Sequence, residues 1–207
     1  DLLASVYSAG QITACKRSQI SAISPGDSVL YAGAGSAIDA AMAAQAGAHV
    51  TIVELSPKMI EIAKSRLMAM GVASQVEVLC DDVMLHEREG YYDVVVANFF
   101  LNVFSEDLMK RMLRHLTGLT RPGGQLLISD FRPPYGNWLH RAFQQTYYGI
   151  AMWAFVLTAK NAPHPIYDYR PLMEVRGIEV ETEQNFKLFR GGPSAYRVWF
   201  GRKTALA

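Results

Sequence analysis

Cysteine is scarce: only Cys15 and Cys80 occur among 207 residues, in no CxxC or metal-ligand spacing. A disulfide scaffold and a cysteine-based metal site are thereby excluded, and both thiols are expected to be buried or incidental in a reducing compartment. An excess of either charge is also missing, since 20 Lys and Arg stand against 19 Asp and Glu, a formal net charge of +1. So neutral a chain has no global field to draw in nucleic acid or anionic lipid, although a local basic patch stays open. Long apolar runs are lacking too. The longest uncharged stretch, Ala142 to Ala159, contains Gln144, Gln145 and Thr146. It is a poor transmembrane candidate and a fair interfacial one. The opening residues lack a signal-peptide pattern, and Asp1 in place of methionine leads us to expect a removed piece. A cytoplasmic protein is expected, with peripheral membrane contact as an option.

What is present is apolar material, half of the chain. Together with the low net charge it rules out disorder, and at this length one domain (1–207) is the expectation, burying roughly 70% of its unfolded surface. Short β-branched runs alternate with helical patterns over the first two-thirds, as in a parallel sheet covered by helices. The strand candidates are Ser28 to Ala32, Val50 to Glu54, Val76 to Leu79, Tyr92 to Ala97 and Gln125 to Ser129. Between them run an alanine-rich helix, Ala37 to Ala46, a helix from N-cap Ser56 and Pro57 to Gly71, and a helix capped by Ser105. An aromatic segment from Trp138 to Lys160 follows, then a short helix ending at Gly177. Two strand-like stretches, Ile178 to Phe189 and Ala195 to Gly201, predict a closing hairpin.

The segment VLYAGAGSA, Val29 to Ala37, leaves a strand and enters a helix through Gly33 and Gly35. Glycine there lets backbone approach a ligand, and the helix start offers free N–H groups. At the end of the next strand stands Glu54, placed to accept hydrogen bonds from both ribose hydroxyls. Turn and acid together point to a nucleoside. A dinucleotide fingerprint would need glycine or alanine at position 38, where Ile38 stands, so an NAD(P) oxidoreductase is the weaker alternative.

On these motifs the chain resembles the class I S-adenosylmethionine (SAM) dependent methyltransferases from about Gln19 to Lys203. VLYAGAGSA resembles the first motif, VTIVELSPKMI (Val50 to Ile60) the ribose-acid segment, and VEVLCDDV (Val76 to Val83) the adenine-binding turn. YYDVVVANFFLNVF (Tyr91 to Phe104) resembles the fourth strand with its loop, and RPGGQLLISDF (Arg121 to Phe131) the turn and fifth strand. The branch holding the ubiquinone and menaquinone C-methyltransferases is the most similar. The resemblance implies a doubly wound, mostly parallel seven-stranded α/β sheet, Rossmann-like, with a C-terminal antiparallel hairpin and an aromatic helical insertion after the fifth strand. It implies SAM as cofactor, with the backbone of Ala32, Gly33, Ala34 and Gly35 against its methionine part. Glu54 would lie on the ribose, Leu55 and Val83 on the adenine ring, and Asp82, or its neighbour Asp81, on the adenine amino group. Asn98 and Phe99 would line the cleft. The family often has an acid where Tyr31 stands, which leaves the amino-group contact unassigned, and a third glycine where Ala37 stands. Residues 1–24 are expected to form a lid, in which Tyr7 and Arg17 could close over the SAM carboxylate.

Methyl transfer from a sulfonium needs alignment and exclusion of water, and a base only if the acceptor loses a proton. The insertion 136–170 is rich in Trp and Tyr, which suits either core packing or a greasy lid over a hydrophobic small-molecule acceptor. His164, set between Pro163 and Pro165, is the first candidate base, followed by Tyr148, His140, Tyr167 and Asp130. Asn102 could orient an acceptor or cap the Ser105 helix. No metal, nucleic-acid partner or membrane span is expected. A SAM-binding module without catalysis is the alternative from another class.

Overall fold

The computed structural model describes residue 8 and residues 10–159, 166–188 and 192–204, with the side chains of 150–159 excepted. Seven strands form one sheet: β1 (Ser28–Ala32), β2 (His49–Glu54), β3 (Val76–Cys80), β4 (Tyr92–Asn98), β5 (Thr120–Phe131), β6 (Ile178–Lys187) and β7 (Ser194–Lys203), in the order β3-β2-β1-β4-β5-β7-β6. The first five are mutually parallel, and β7 runs antiparallel between β5 and β6. The sheet is thus doubly wound with a terminal hairpin. Its strand order reverses between β1 and β4, and the ends of those strands flank the crevice where such sheets bind ligands.

The helices are α1 (Gln11–Ser18), α2 (Ile38–Gln45), α3 (Pro57–Ala69), α4 (Glu106–Leu119), α5 (Trp138–Ala159) and α6 (Tyr169–Glu174). Alternation along the strands makes two cores. Val29 and Tyr31 of β1 face the alanines of α2 with Ala63 and Leu67 of α3, whereas Leu30 and Ala32 face Met109, Leu113 and Leu116 of α4 and Met173 of α6. The alanines of α2 are buried in the first of these cores. Helix α3 begins as its sequence indicates, with the Ser56 side chain accepting from Met59 N at 3.4 Å and Pro57 at the first helical position.

Two local expectations are corrected. Ser105 makes no side-chain cap, and its backbone O accepts from Met109 N instead. The fifth strand begins at Thr120, opposite Tyr92, with a register shift before Val94 that absorbs the Arg121-Pro122-Gly123-Gly124 segment. Cys80 is exposed, while Cys15 is buried and its thiol pKa is pushed far up by burial. Among the described residues no helix is long and apolar enough to cross a membrane, and no cluster of metal-ligating side chains occurs.

Candidate active site

Gly33 and Gly35 both adopt positive φ, 65° and 53°, but do different work. A Cβ on Gly33 would lie 2.4 Å from Cδ2 of Phe100, so this glycine admits the aromatic ring that follows β4. A Cβ on Gly35 would meet nothing within 4 Å. The turn is therefore packed on one side and open on the other. Ala37 is also left-handed, with φ 56°, which explains why a third glycine suits this position and shows that alanine tolerates it.

Glu54, at the end of β2, ties this turn to the next one. Its Oε2 accepts from Gly35 N at 3.4 Å and its Oε1 from Ser56 N at 3.0 Å. Leu55 beside it is 70% exposed. At the end of β3, Asp82 Oδ1 accepts from Met84 N at 2.9 Å and so caps the turn Val83–Leu85, with Val83 buried. Asp81 is exposed and accepts from Asp82 N. Ala32 and Glu54 thus end β1 and β2, and Gly33, Ala34, Gly35, Leu55, Asp82 and Val83 stand on the turns that follow β1, β2 and β3.

The end of β4 completes the crevice. Phe99 carries φ 52°, a strained value for a residue with a side chain, and its ring packs edge-on against Phe131 and Tyr196. Asn98 donates from Nδ2 to Oδ2 of Asp39 at 2.8 Å, while Lys16 Nζ approaches Oδ1 at 3.3 Å. The Tyr31 hydroxyl donates to the backbone O of Asp39, and burial holds its phenol well above the usual range. Sequence reasoning missed Asp39, Lys16 and Gln19. The signal for Asp39 was present, because it is the one carboxylate within the alanine-rich segment 37–46.

On the acceptor side the candidates are dispersed. His164 and Tyr7 lie outside the described residues. The Tyr148 hydroxyl donates to the backbone O of Arg132 and of Ala195, a packing task midway along α5. Tyr167 donates to Phe104 O. His140 is exposed in the first turn of α5, and Arg17 is exposed on α1. Asp130 is fully buried at the end of β5; its Oδ2 accepts from the Tyr169 hydroxyl at 2.6 Å, its Oδ1 from Phe131 N, and the Asn102 side chain bonds to the same carboxyl. Burial pushes its pKa up to about 7.

Residues 29–124 match a family described as a methyltransferase domain. The ubiquinone/menaquinone biosynthesis C-methyltransferase UbiE of Ectopseudomonas mendocina is 32% identical over 155 residues, covering 71% of this chain and 59% of that protein. Over these residues the chain is similar to the class I SAM-dependent methyltransferases, of the UbiE-like type. Tuberculostearic acid methyltransferase UfaA1 of Mycobacterium tuberculosis is a second relative of this chain, 30% identical over 62% of the chain and 30% of its own length. This chain thus spans less than two thirds of either relative. Among solved structures, the 1,6-didemethyltoxoflavin-N1-methyltransferase of Burkholderia thailandensis, with bound S-adenosylhomocysteine, shares the methyltransferase fold. The match has a TM-score of 0.69 and 22% identity, over 99% of this chain and 86% of that one. SAM is the cofactor of the class, and the open cradle at Gly35 beside the Glu54 carboxylate fits its ribose.

Proposed function

We propose that this methyltransferase transfers the SAM methyl group to a hydrophobic small molecule, such as a quinone, a phenol, a lipid precursor or a secondary metabolite. The observation that carries the reading is the Glu54 carboxylate, which bridges the backbone of two turns across an open glycine cradle at the strand-order reversal. Bound SAM supplies an electrophilic methyl on a sulfonium; the protein supplies position. Glu54 accepts from the ribose hydroxyls, Asp82 accepts from the adenine amino group, and Leu55 and Val83 cover the ring. The backbone from Ala32 to Gly35 carries the methionine part, and Asn98 and Phe99 close the crevice. Residues 1–24 form a lid, and 136–170 the acceptor side, within one domain.

Where the acceptor must lose a proton, His164 takes it, and Asn102 orients the acceptor. Tyr148 shapes the pocket wall, since its hydroxyl proton is committed to backbone carbonyls. In an assay with methyl-labelled SAM and a panel of apolar quinones, phenols and fatty acyl acceptors, label is expected in the acceptor. His164→Ala is expected to lower turnover with SAM affinity unchanged; equal turnover assigns the reaction to positioning alone. SAM binding without transfer to any acceptor returns the binding-module alternative, and NAD(P) binding without SAM binding overturns the proposal.

An acceptor drawn from a lipid surface agrees with the start of α5. Trp138, Leu139 and Phe143 are exposed there, and no Asp or Glu occurs from Phe131 to Tyr167. Co-sedimentation with vesicles containing anionic lipid is expected for the wild type and weakened in Trp138→Ser. Wild-type protein that stays in the supernatant removes the membrane from the proposal.

A further inference from the structure

Between α4 and the chain that joins β3 to β4 lies a cleft of about 560 Å³ that the proposed reaction does not use. One wall is a stripe of α4, Arg111, Arg114, His115 and Gly118, at the i, i+3, i+4, i+7 spacing that brings helical residues onto one face. The facing wall carries Glu87 and Glu89, and Met84 and Leu119 supply an apolar floor. Backbone and ring contacts hold the walls together. Gly90 N donates to Gly118 O at 2.8 Å, and His115 Nε2 donates to Val83 O at 2.7 Å, which fixes the imidazole beside the cleft.

The charges of this cleft do not neutralise one another. Arg88, Arg121, Arg170, Arg197 and Arg202 each pair with a carboxylate. Among the described residues, Arg111, Arg114, Glu87 and Glu89 make no ion pair and no side-chain hydrogen bond. Arg114 instead faces a like charge, since burial and then Arg114 lower the pKa of the neighbouring Arg176. Gly118 keeps the cleft open. It lies in ordinary helical backbone, and a Cβ on it would meet nothing within 4 Å, so neither strain nor packing calls for glycine there. Within a helix only proline is less favourable.

The chemistry of the occupant follows from the two walls. An anion alone would satisfy the arginines and meet the glutamates as like charges, and a cation alone would do the reverse. A zwitterion satisfies both: Arg111 and Arg114 donate to its carboxylate, and its ammonium donates to Glu87 and Glu89. The floor of Met84 and Leu119 suits an apolar side chain between the two charges.

We propose that this cleft is a second ligand site, for a small zwitterion of the α-amino acid class with an apolar side chain. The site does not depend on the proposed methyl transfer.

The test titrates the protein with L-leucine, L-methionine and L-phenylalanine, and with the matching acids that lack the ammonium and the matching amines that lack the carboxylate. The His115 imidazole resonance, assigned through His115→Gln, is read by NMR. At least one amino acid is expected to shift it and to bind roughly tenfold more tightly than both of its analogues. Arg111→Gln with Arg114→Gln, and separately Glu87→Gln with Glu89→Gln, are expected to lower that affinity about tenfold. Gly118→Leu, which fills the cleft and leaves every charge in place, is expected to abolish the shift without lowering the urea midpoint of unfolding. A resonance that moves with none of the amino acids overturns the proposal. An acid that binds as tightly as its amino acid also overturns it, by reducing the cleft to an anion site. Should the charge variants fail to fold, Gly118→Leu decides alone, and wild-type binding by that variant overturns the proposal.

Discussion

Glu54→Ala is expected to weaken binding of SAM and S-adenosylhomocysteine by about 1–3 kcal/mol, a loss of roughly five- to 150-fold. The carboxylate stands half-buried between Gly35 N and Ser56 N, with its orientation fixed before any ligand arrives. A ribose diol that donates to it meets a charged acceptor already held in place, so little ordering entropy is lost on binding. Removing the side chain forfeits that contact and also frees the two backbone N–H groups, which face the crevice and can take water. The effect should therefore fall on affinity more than on stability. It should also be the same for 5′-methylthioadenosine as for S-adenosylhomocysteine, because both carry the ribose. An unchanged dissociation constant would remove Glu54 from the ribose, and a loss confined to S-adenosylhomocysteine would move it to the amino-acid end. Glu54→Gln, which keeps one neutral acceptor, is expected to lose less than Glu54→Ala.

What local sequence could show is what one turn of chain decides. The Ser56-Pro57 start of α3, the glycine turn, and the placement of Glu54 at a strand end depend on residues within a few positions of each other. All of these are found as expected. The doubly wound order was legible because alternating strands and helices admit few topologies. The buried polar cluster behind the glycine turn was not legible. It assembles Lys16 and Gln19 from one segment, Asp39 from the next helix, Asn98 from β4 and Ser129 from β5, and no spacing in the chain announces that meeting. Sequence reasoning named Arg17 and passed over Lys16, which pairs with Asp39 of α2 while Arg17 is exposed. The setting of Tyr148 was hidden for a similar reason. A tyrosine in an aromatic helix reads alike whether its hydroxyl meets a ligand or a backbone carbonyl, and here it meets two carbonyls.

Stability should fall as pH rises from about 4 to about 7, and Asp130→Asn should remove much of that slope. Asp130 is fully buried on the α4 side of β5, where desolvation raises its pKa from 3.8 to about 7 against the opposing hydrogen bonds from Tyr169, Phe131 and Asn102. The folded state therefore keeps the proton over a range in which the unfolded chain has released it. The stabilisation is fully present below the unfolded value and is lost as pH climbs toward the folded one. At 1.36 kcal/mol per unit the whole span is worth on the order of 4 kcal/mol, and the interval from pH 5 to 7 roughly 2–3 kcal/mol. Asparagine keeps an acceptor for Phe131 N and can donate to the Tyr169 oxygen, but it has no proton to lose. Urea unfolding of both proteins at pH 5, 6, 7 and 8 should show the wild type losing stability relative to Asp130→Asn up to about pH 7, then running parallel to it. Parallel curves throughout would mean that the carboxyl titrates alike folded and unfolded. Because Asn102 leans on this carboxyl, the same titration should reach the acceptor side: turnover of Asp130→Asn is expected to show a flatter pH profile near neutrality than that of the wild type, at equal affinity for S-adenosylhomocysteine.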